Sequence, residues 1–284
     1  MGYSMANSLA HTKIERPTIE VSGVPRLSGA EIAASEAIYI SQAEQAAALS
    51  RLVRRKEPLF CAGTKKYAAL TFDDGPSATT PQLVKALENA GVPATWFDVG
   101  QNAQAMPVDT KLQGAYGPIG NHTWSHANLT TLSTKDIKTE LNDTQDVIRA
   151  QTGQNHKMMR PPYGARDTQT QRVIRKMKFA EILWSADSQD GLAKPAATIA
   201  QNSIDGLGPG SVILLHDGPA ATLAALKKIF AAVKRSGLTM VTVPELLVLN
   251  PPSDEQLDMG PRGCSHAGRV NVSGTFVANP ELAR

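Results

Sequence analysis

Between Lys65 and Leu249, short apolar runs alternate with longer stretches whose apolar residues recur at helical spacing. The runs over 67–72, 94–99, 117–120, 158–160, 181–184, 211–215 and 238–241 read as strands, several of them apolar on both faces. The stretches over 81–90, 134–152, 167–177, 194–204 and 222–236 read as helices. Pro81 suits a first helical turn, and Gly91 suits the residue just past a helix end. Short strands alternating with helices predict an α/β fold built on a parallel βα barrel, where catalytic side chains collect at the carboxyl ends of strands.

The flanks are different. Residues 11–29 contain Pro17, Pro25 and little periodicity, and read as an extended arm. From Glu31 to Lys56 the chain is alanine-rich, with Ile32, Ile38, Ile40, Ala46, Leu49 and Leu52 spaced for one or two helices. Past Asn250 it is rich in Pro, Gly and Ser. The expected division is an extension over 1–56, a domain over 57–250 and a tail over 251–284, with no internal repeat.

Composition narrows the classes. The chain has 284 residues, 42% hydrophobic and 19% charged, enough for a packed core. A net charge of +3, with no basic run interleaved with aromatics, gives no footprint for nucleic acid. The one basic cluster, Arg51 to Lys56, reads as a helix end placed against the negative pole of the dipole. No apolar stretch approaches the roughly 20 residues of a membrane span. Residues 1–8 lack the apolar region of a signal peptide, and are compatible with an expression leader joined to a mature secreted protein. The two cysteines, Cys61 and Cys264, read either as a disulfide tying the tail back, which would imply an oxidising compartment, or as two unrelated thiols.

Chemistry-bearing residues lie where predicted strands end. Asp73 and Asp74 sit side by side before Gly75-Pro76, and read either as a solvated turn or as two carboxylates whose roles are separated by a metal. His122 and His126 are four apart, the spacing of one helical face, and suit zinc if Asp74 supplies a third ligand. Trp124 between them reads as a packing residue. Arg160, before Pro161 and Pro162, is placed to hold a carboxylate in bidentate fashion, and the N–H of Tyr163 is the next one free to meet a ligand. Trp184 to Gly191 adds Asp187 and Asp190, and His216 closes the run from Ile213.

The segments TFDDGP, HTWSH, RPPYG, WSADSQD and ILLHDG, in this order, resemble the polysaccharide deacetylase family with the NodB homology domain, carbohydrate esterase family 4. The resemblance covers about residues 65–250. It implies a distorted (β/α)7 barrel and a divalent metal, zinc first, with cobalt or nickel as alternatives. It assigns Asp74, His122 and His126 to the metal and Asp73 to general-base work. Arg160 would tune Asp73, the Tyr163 N–H would serve the oxyanion, and His216 would be the general acid beside Asp190. Leu214 and Trp184 would border the acetyl group together with Tyr163. One position departs from the family pattern: Gly191 stands where an aromatic residue usually follows the aspartate.

The implied function is removal of acetyl groups from N-acetylglucosamine polymers by a secreted or cell-envelope monomer. Chitin oligosaccharides come first as substrate and peptidoglycan second. Acetylxylan O-deacetylation is the alternative with the same site, and a carbohydrate-binding protein with a dead site is the alternative of another class. A metal-dependent phosphoesterase lacks the cations to neutralise a phosphate, Arg160 standing alone. Sequons at Asn121, Asn128, Asn142 and Asn271 read as incidental, because a glycan on Asn121 would obstruct a neighbouring ligand.

Overall fold

Six successive residues of β1 (Tyr67–Asp73), from Ala68 onward, are buried, which makes this strand the centre of the sheet. It pairs in parallel with β2 (Ala94–Asp98) on one side and with β7 (Val212–His216) on the other. The path continues through β3 (Ile119–Asn121), β4 (Met158–Met159) and β5 (Ala180–Glu181) beyond β2, and through β6 (Ala186–Asp187) beyond β7. A short β8 (Thr239–Met240) joins the start of β1, and every pairing is parallel. The computed structural model describes residues 40–264. The expected arm, the start of the alanine-rich stretch and the tail past Cys264, with the Asn271 sequon, lie outside the described residues.

The sheet curls into a distorted (β/α) barrel that stays open between β5 and β6. Leu59 to Ala62 spans that opening. Leu59 bridges Ile182, and Cys61 bridges Ser211 at the foot of β7. This explains the one strand that differs from expectation. Ile182 and Leu183 pair with Leu59 rather than extending β5, and Ser185 then bonds Val212, so 186–187 forms a separate strand.

Helices pack outside as their apolar faces dictate. Leu83, Val84 and Leu87 of Thr80–Ala90, with Leu226 and Ile229 of Ala220–Ser236, meet Phe72 and Trp96, whose rings lie 5.3 Å apart. Each such leucine contributes about 1.5–3 kcal/mol by leaving water. The helix Gln42–Arg55 opens on a capping box between Ser41 and Glu44, ends with Arg54 and Arg55 in its last turn, and buries Ala48, Leu49 and Leu52 against Leu59, Ile182 and Leu246. Four helices were not anticipated: Gly100–Ala105, Pro107–Tyr116, Val243–Leu249 and Asp254–Met259. The first two are short and weakly amphipathic, and the third is so apolar that its period is hidden. Cys61 and Cys264 form a disulfide with Cα atoms 5.8 Å apart, so the tail is tied back to the domain.

Candidate metal and acid–base site

The turn after β1 carries the paired aspartates. Asp73 continues the strand and is 3% exposed, whereas Asp74 adopts φ +70°, and the following Gly75–Pro76 peptide is cis. A Cβ at Gly75 would lie 2.5 Å from Gln113 Nε2 and 3.0 Å from Asp98 Oδ1, so a larger residue would have to displace the buried Gln113 amide. Asp217 fastens the turn from the other side. Its carboxylate accepts from Ser77, Thr79, Thr80 and Gln113, and its N–H donates to the Asp73 carbonyl. Asp98 is fully buried with both carboxylate oxygens unpartnered, and burial, then the charge of Asp217, pushes its carboxyl well above the usual range.

His122 and His126 follow β3 on a loop, not on a helical turn as their spacing suggested. Thr123 (φ +68°) and His126 (φ +57°) are both left-handed, a conformation that costs a non-glycine residue about 1–3 kcal/mol and is held only by strong surroundings. The backbone from His122 to Ser125 is held by hydrogen bonds. The His122 N–H donates to Asp98, the Thr123 N–H to Asn121 Oδ1, and the N–H groups of Trp124 and Ser125 to Glu140 Oε2. Gly100 and Gln101 in turn donate to the carbonyls of Thr123 and Trp124. The Trp124 ring packs over Gly100, whose Cβ would come within 2.5 Å of it. Asn121 is fully buried with its amide on the Leu141 carbonyl, which leaves no access for a glycan.

Asp74, His122 and His126 converge with one ligand atom each, all within 4.8 Å of one another. Asp74 Oδ1 lies 3.4 Å from His122 Nε2 and 3.2 Å from His126 Nε2. His122 Nδ1 is 2.7 Å from the Arg160 carbonyl, which can only accept, so the ring hydrogen sits on Nδ1. A neutral His122 therefore turns the Nε2 lone pair toward a carboxylate oxygen that has no hydrogen-bond donor. Two acceptors face each other, and a cation between them resolves the conflict. Burial is the main influence that lowers His126 to about 4, so its imidazole is neutral at pH 7. These residues fit a divalent metal with His and carboxylate ligands.

Arg160 is fully buried, between Phe97 (4.3 Å from guanidinium carbon to ring centre) and Trp184 (5.6 Å). It does not grip Asp73 in bidentate fashion. Nη1 donates to Asp73 Oδ1 (2.7 Å) and to Thr71 Oγ1, while Nε and Nη2 take the carbonyls of Ile182 and Leu183. The guanidinium is thus shared between the carboxylate and the backbone at the open seam. Tyr163 stands at φ +62° in the turn after Pro162, where Gly164 and Ala165 spend their N–H groups on Pro161 and Pro162. Its hydroxyl is 3.1 Å from His126 Nδ1.

His216 ends β7. Its Nδ1 lies 2.6 Å from Asp190 Oδ1, and its backbone N–H donates to Asp190 Oδ2, which also accepts from Thr222. Burial works to lower the imidazole, but the bond and charge of Asp190 win, helped by Asp74 and Asp73, and raise it to about 10. Leu214 lies two residues earlier on the same face of β7 and is 4% exposed. Gly191 lies against His216, where a Cβ would come 3.2 Å from Cε1 of the ring. The structure thus brings the candidate metal ligands Asp74, His122 and His126, Asp73 with Arg160, and His216 with Asp190 to one rim. Glu140 and Thr222 were not foreseen, since neither belongs to a compact motif, and Thr71 and Asp217, although inside TFDDGP and ILLHDG, were given no role because each acts across the fold.

A polysaccharide deacetylase family model matches residues 62–182. A peptidoglycan-N-acetylglucosamine deacetylase, PgdA, of Listeria monocytogenes is 35% identical over 187 residues, 65% of this chain and 40% of that protein. The chain therefore spans about two fifths of the Listeria protein's length. A peptidoglycan-N-acetylglucosamine deacetylase of Bacillus cereus is 35% identical over 188 residues, covering 64% of this chain and 68% of the relative. A crystal structure of a peptidoglycan N-acetylglucosamine deacetylase bound to a naphthalenyl N-oxidanyl-benzamide superimposes with a TM-score of 0.64 at 32% identity, over 69% of this chain and 93% of that one.

Proposed function

Because the chain belongs to the polysaccharide deacetylase family, we propose that it is a metal-dependent hydrolase that removes acetyl groups from the N-acetylglucosamine residues of peptidoglycan. The observation that carries this reading is the pair of facing acceptors, His122 Nε2 and Asp74 Oδ1, beside a carboxylate, Asp73, fixed by Arg160. The two relatives whose names specify peptidoglycan favour that polymer over the chitin oligosaccharides that the motifs alone put first.

Asp74, His122 and His126 would hold the cation, zinc first and cobalt or nickel next. When bound, it supplies Lewis-acid polarisation of the acetyl carbonyl and makes a water more acidic. Asp73 takes the proton of the attacking water, and Arg160 keeps that carboxylate in place. The Tyr163 N–H donates to the developing oxyanion, a contribution typically of about 3–4 kcal/mol. His216 then gives its proton to the departing sugar amine, with Asp190 holding the ring and the positive charge. Leu214 and Trp184 border the acetyl methyl group.

A monomer outside the cytoplasm fits this substrate, and the Cys61–Cys264 disulfide suits an oxidising compartment. Among the described residues no helix is long and apolar enough to cross a membrane. A carbohydrate-binding protein with a dead site would have no use for an Arg160-held Asp73 and an Asp190-held His216. The test is acetate release by the zinc-loaded protein from N-acetylated peptidoglycan fragments, with chitooligosaccharides and acetylxylan in parallel. Loss of release on chelation and its return with zinc supports the proposal. Release from acetylxylan alone would reassign the protein as an esterase, and release from none would end the enzymatic reading.

A further inference from the structure

Glu140 projects from the helix Thr134–Thr152 onto the segment between the two histidines. Its Oε2 accepts the N–H of Trp124 at 2.8 Å and that of Ser125 at 2.9 Å, and its Oε1 accepts the Ser125 hydroxyl at 2.8 Å. Three donors thus converge on one side chain, and all three belong to the residues separating His122 from His126. The loop needs this grip, because Thr123 and His126 on either side of that peptide are both left-handed. The remaining fastenings, at Asp98, Asn121, Gly100 and Gln101, act on His122, Thr123 and the Trp124 carbonyl. Glu140 is the group that holds the Trp124–Ser125 peptide by its amides.

We propose that Glu140 is a positioning residue for the metal, fixing the Trp124–Ser125 peptide so that His122 and His126 present Nε2 to a common point. The inference rests on Asp74, His122 and His126 being metal ligands. The Ser125 bonds lie near the surface, so water can satisfy these donors if the carboxylate is removed. Water does not dictate the path of a strained loop. The loss should therefore fall on metal affinity and not on folding, as for other groups that orient a ligand from behind.

The experiment uses the full chain with Glu140→Ala and Glu140→Gln, measuring zinc affinity by competition with a chromophoric chelator, the absorption spectrum of the cobalt-substituted protein, and the thermal midpoint without metal. Glu140→Ala should weaken zinc binding about 10–100-fold and alter the cobalt spectrum, with the metal-free midpoint little changed. Glu140→Gln should stay near the wild-type affinity, since its carbonyl can accept both N–H groups and its amide can donate to Ser125 Oγ. Wild-type zinc affinity and an unaltered cobalt spectrum in Glu140→Ala would overturn the inference while leaving the ligand assignment standing. A metal-free midpoint that falls as steeply as the affinity would also overturn it, marking a purely structural role. A wild-type chain that binds no zinc would overturn the ligand assignment and this inference together.

Discussion

Asp73 and His216 are register partners, closing the adjacent parallel strands β1 and β7 at the same level. Neighbouring strands lie about 4.8 Å apart, so the proposed base and acid are spaced by backbone pairing and not by side-chain reach. The next backbone bond, from the Asp217 N–H to the Asp73 carbonyl, locks that level. Each partner has its own support, Arg160 for Asp73 and Asp190 for His216. One can therefore be altered without displacing the other.

Asp73→Asn keeps an acceptor for Arg160 but cannot take a proton. Acetate release should fall about 10²–10⁴-fold in kcat, the usual worth of a general base. Metal analysis should show unchanged zinc content. Zinc lost along with activity would make Asp73 a ligand instead.

His216 gives a pH prediction whose sign follows from its raised pKa. A histidine held near 10 in the fold, against an ordinary 6.5, contributes stability that is fully present below 6.5 and is lost as pH rises through about 10. Asp190→Asn removes the main upward influence, so the alkaline limbs of both stability and kcat should move toward neutral pH. Zinc on the nearby triad offsets the aspartate charges, so the two proteins are compared at equal metal loading. Coincident alkaline limbs would separate His216 from the acid role.

Arg160→Met should destabilise the fold by about 3–5 kcal/mol, because it leaves the buried Asp73 carboxylate without its counter-charge. The carbonyls of Ile182 and Leu183 lose their donor as well. Urea unfolding measures the change. A loss below about 1 kcal/mol would indicate that water enters to replace the guanidinium.

Gly191→Ala places a methyl group 3.2 Å from His216 Cε1, so the ring has to give by a few tenths of an ångström. The expected cost is about 1 kcal/mol, a roughly fivefold loss in kcat, with the thermal midpoint unchanged because the position is exposed. An unchanged kcat would show that the His216 ring can shift without consequence.

The motif residues were legible because each follows a short apolar run, and in a parallel βα architecture such runs end on one rim. Asp74, His122, His126, Asp73, Arg160, Asp190 and His216 all meet there. The manner of their support was not legible. Spacing suggested that His122 and His126 share a helical face, whereas they flank a loop with two left-handed residues. Arg160 was read as a two-pronged clamp, but two of its four hydrogen bonds go to carbonyls at a seam that no local pattern foretold. Glu140 sits on a correctly anticipated helix, yet its task is set by a loop 15 residues earlier in the chain.

The seam itself carries a last consequence. Leu59 to Ala62 fills the opening, Cys61 is bonded there to Cys264, and Arg55 pairs with Asp254 and Asp258. Two segments far apart in sequence, Arg55–Cys61 and Asp254–Cys264, are therefore neighbours at the seam, joined by a covalent bond and two ion pairs. Neither segment can leave the seam without drawing on the other, so the opening between β5 and β6 is stapled from both sides.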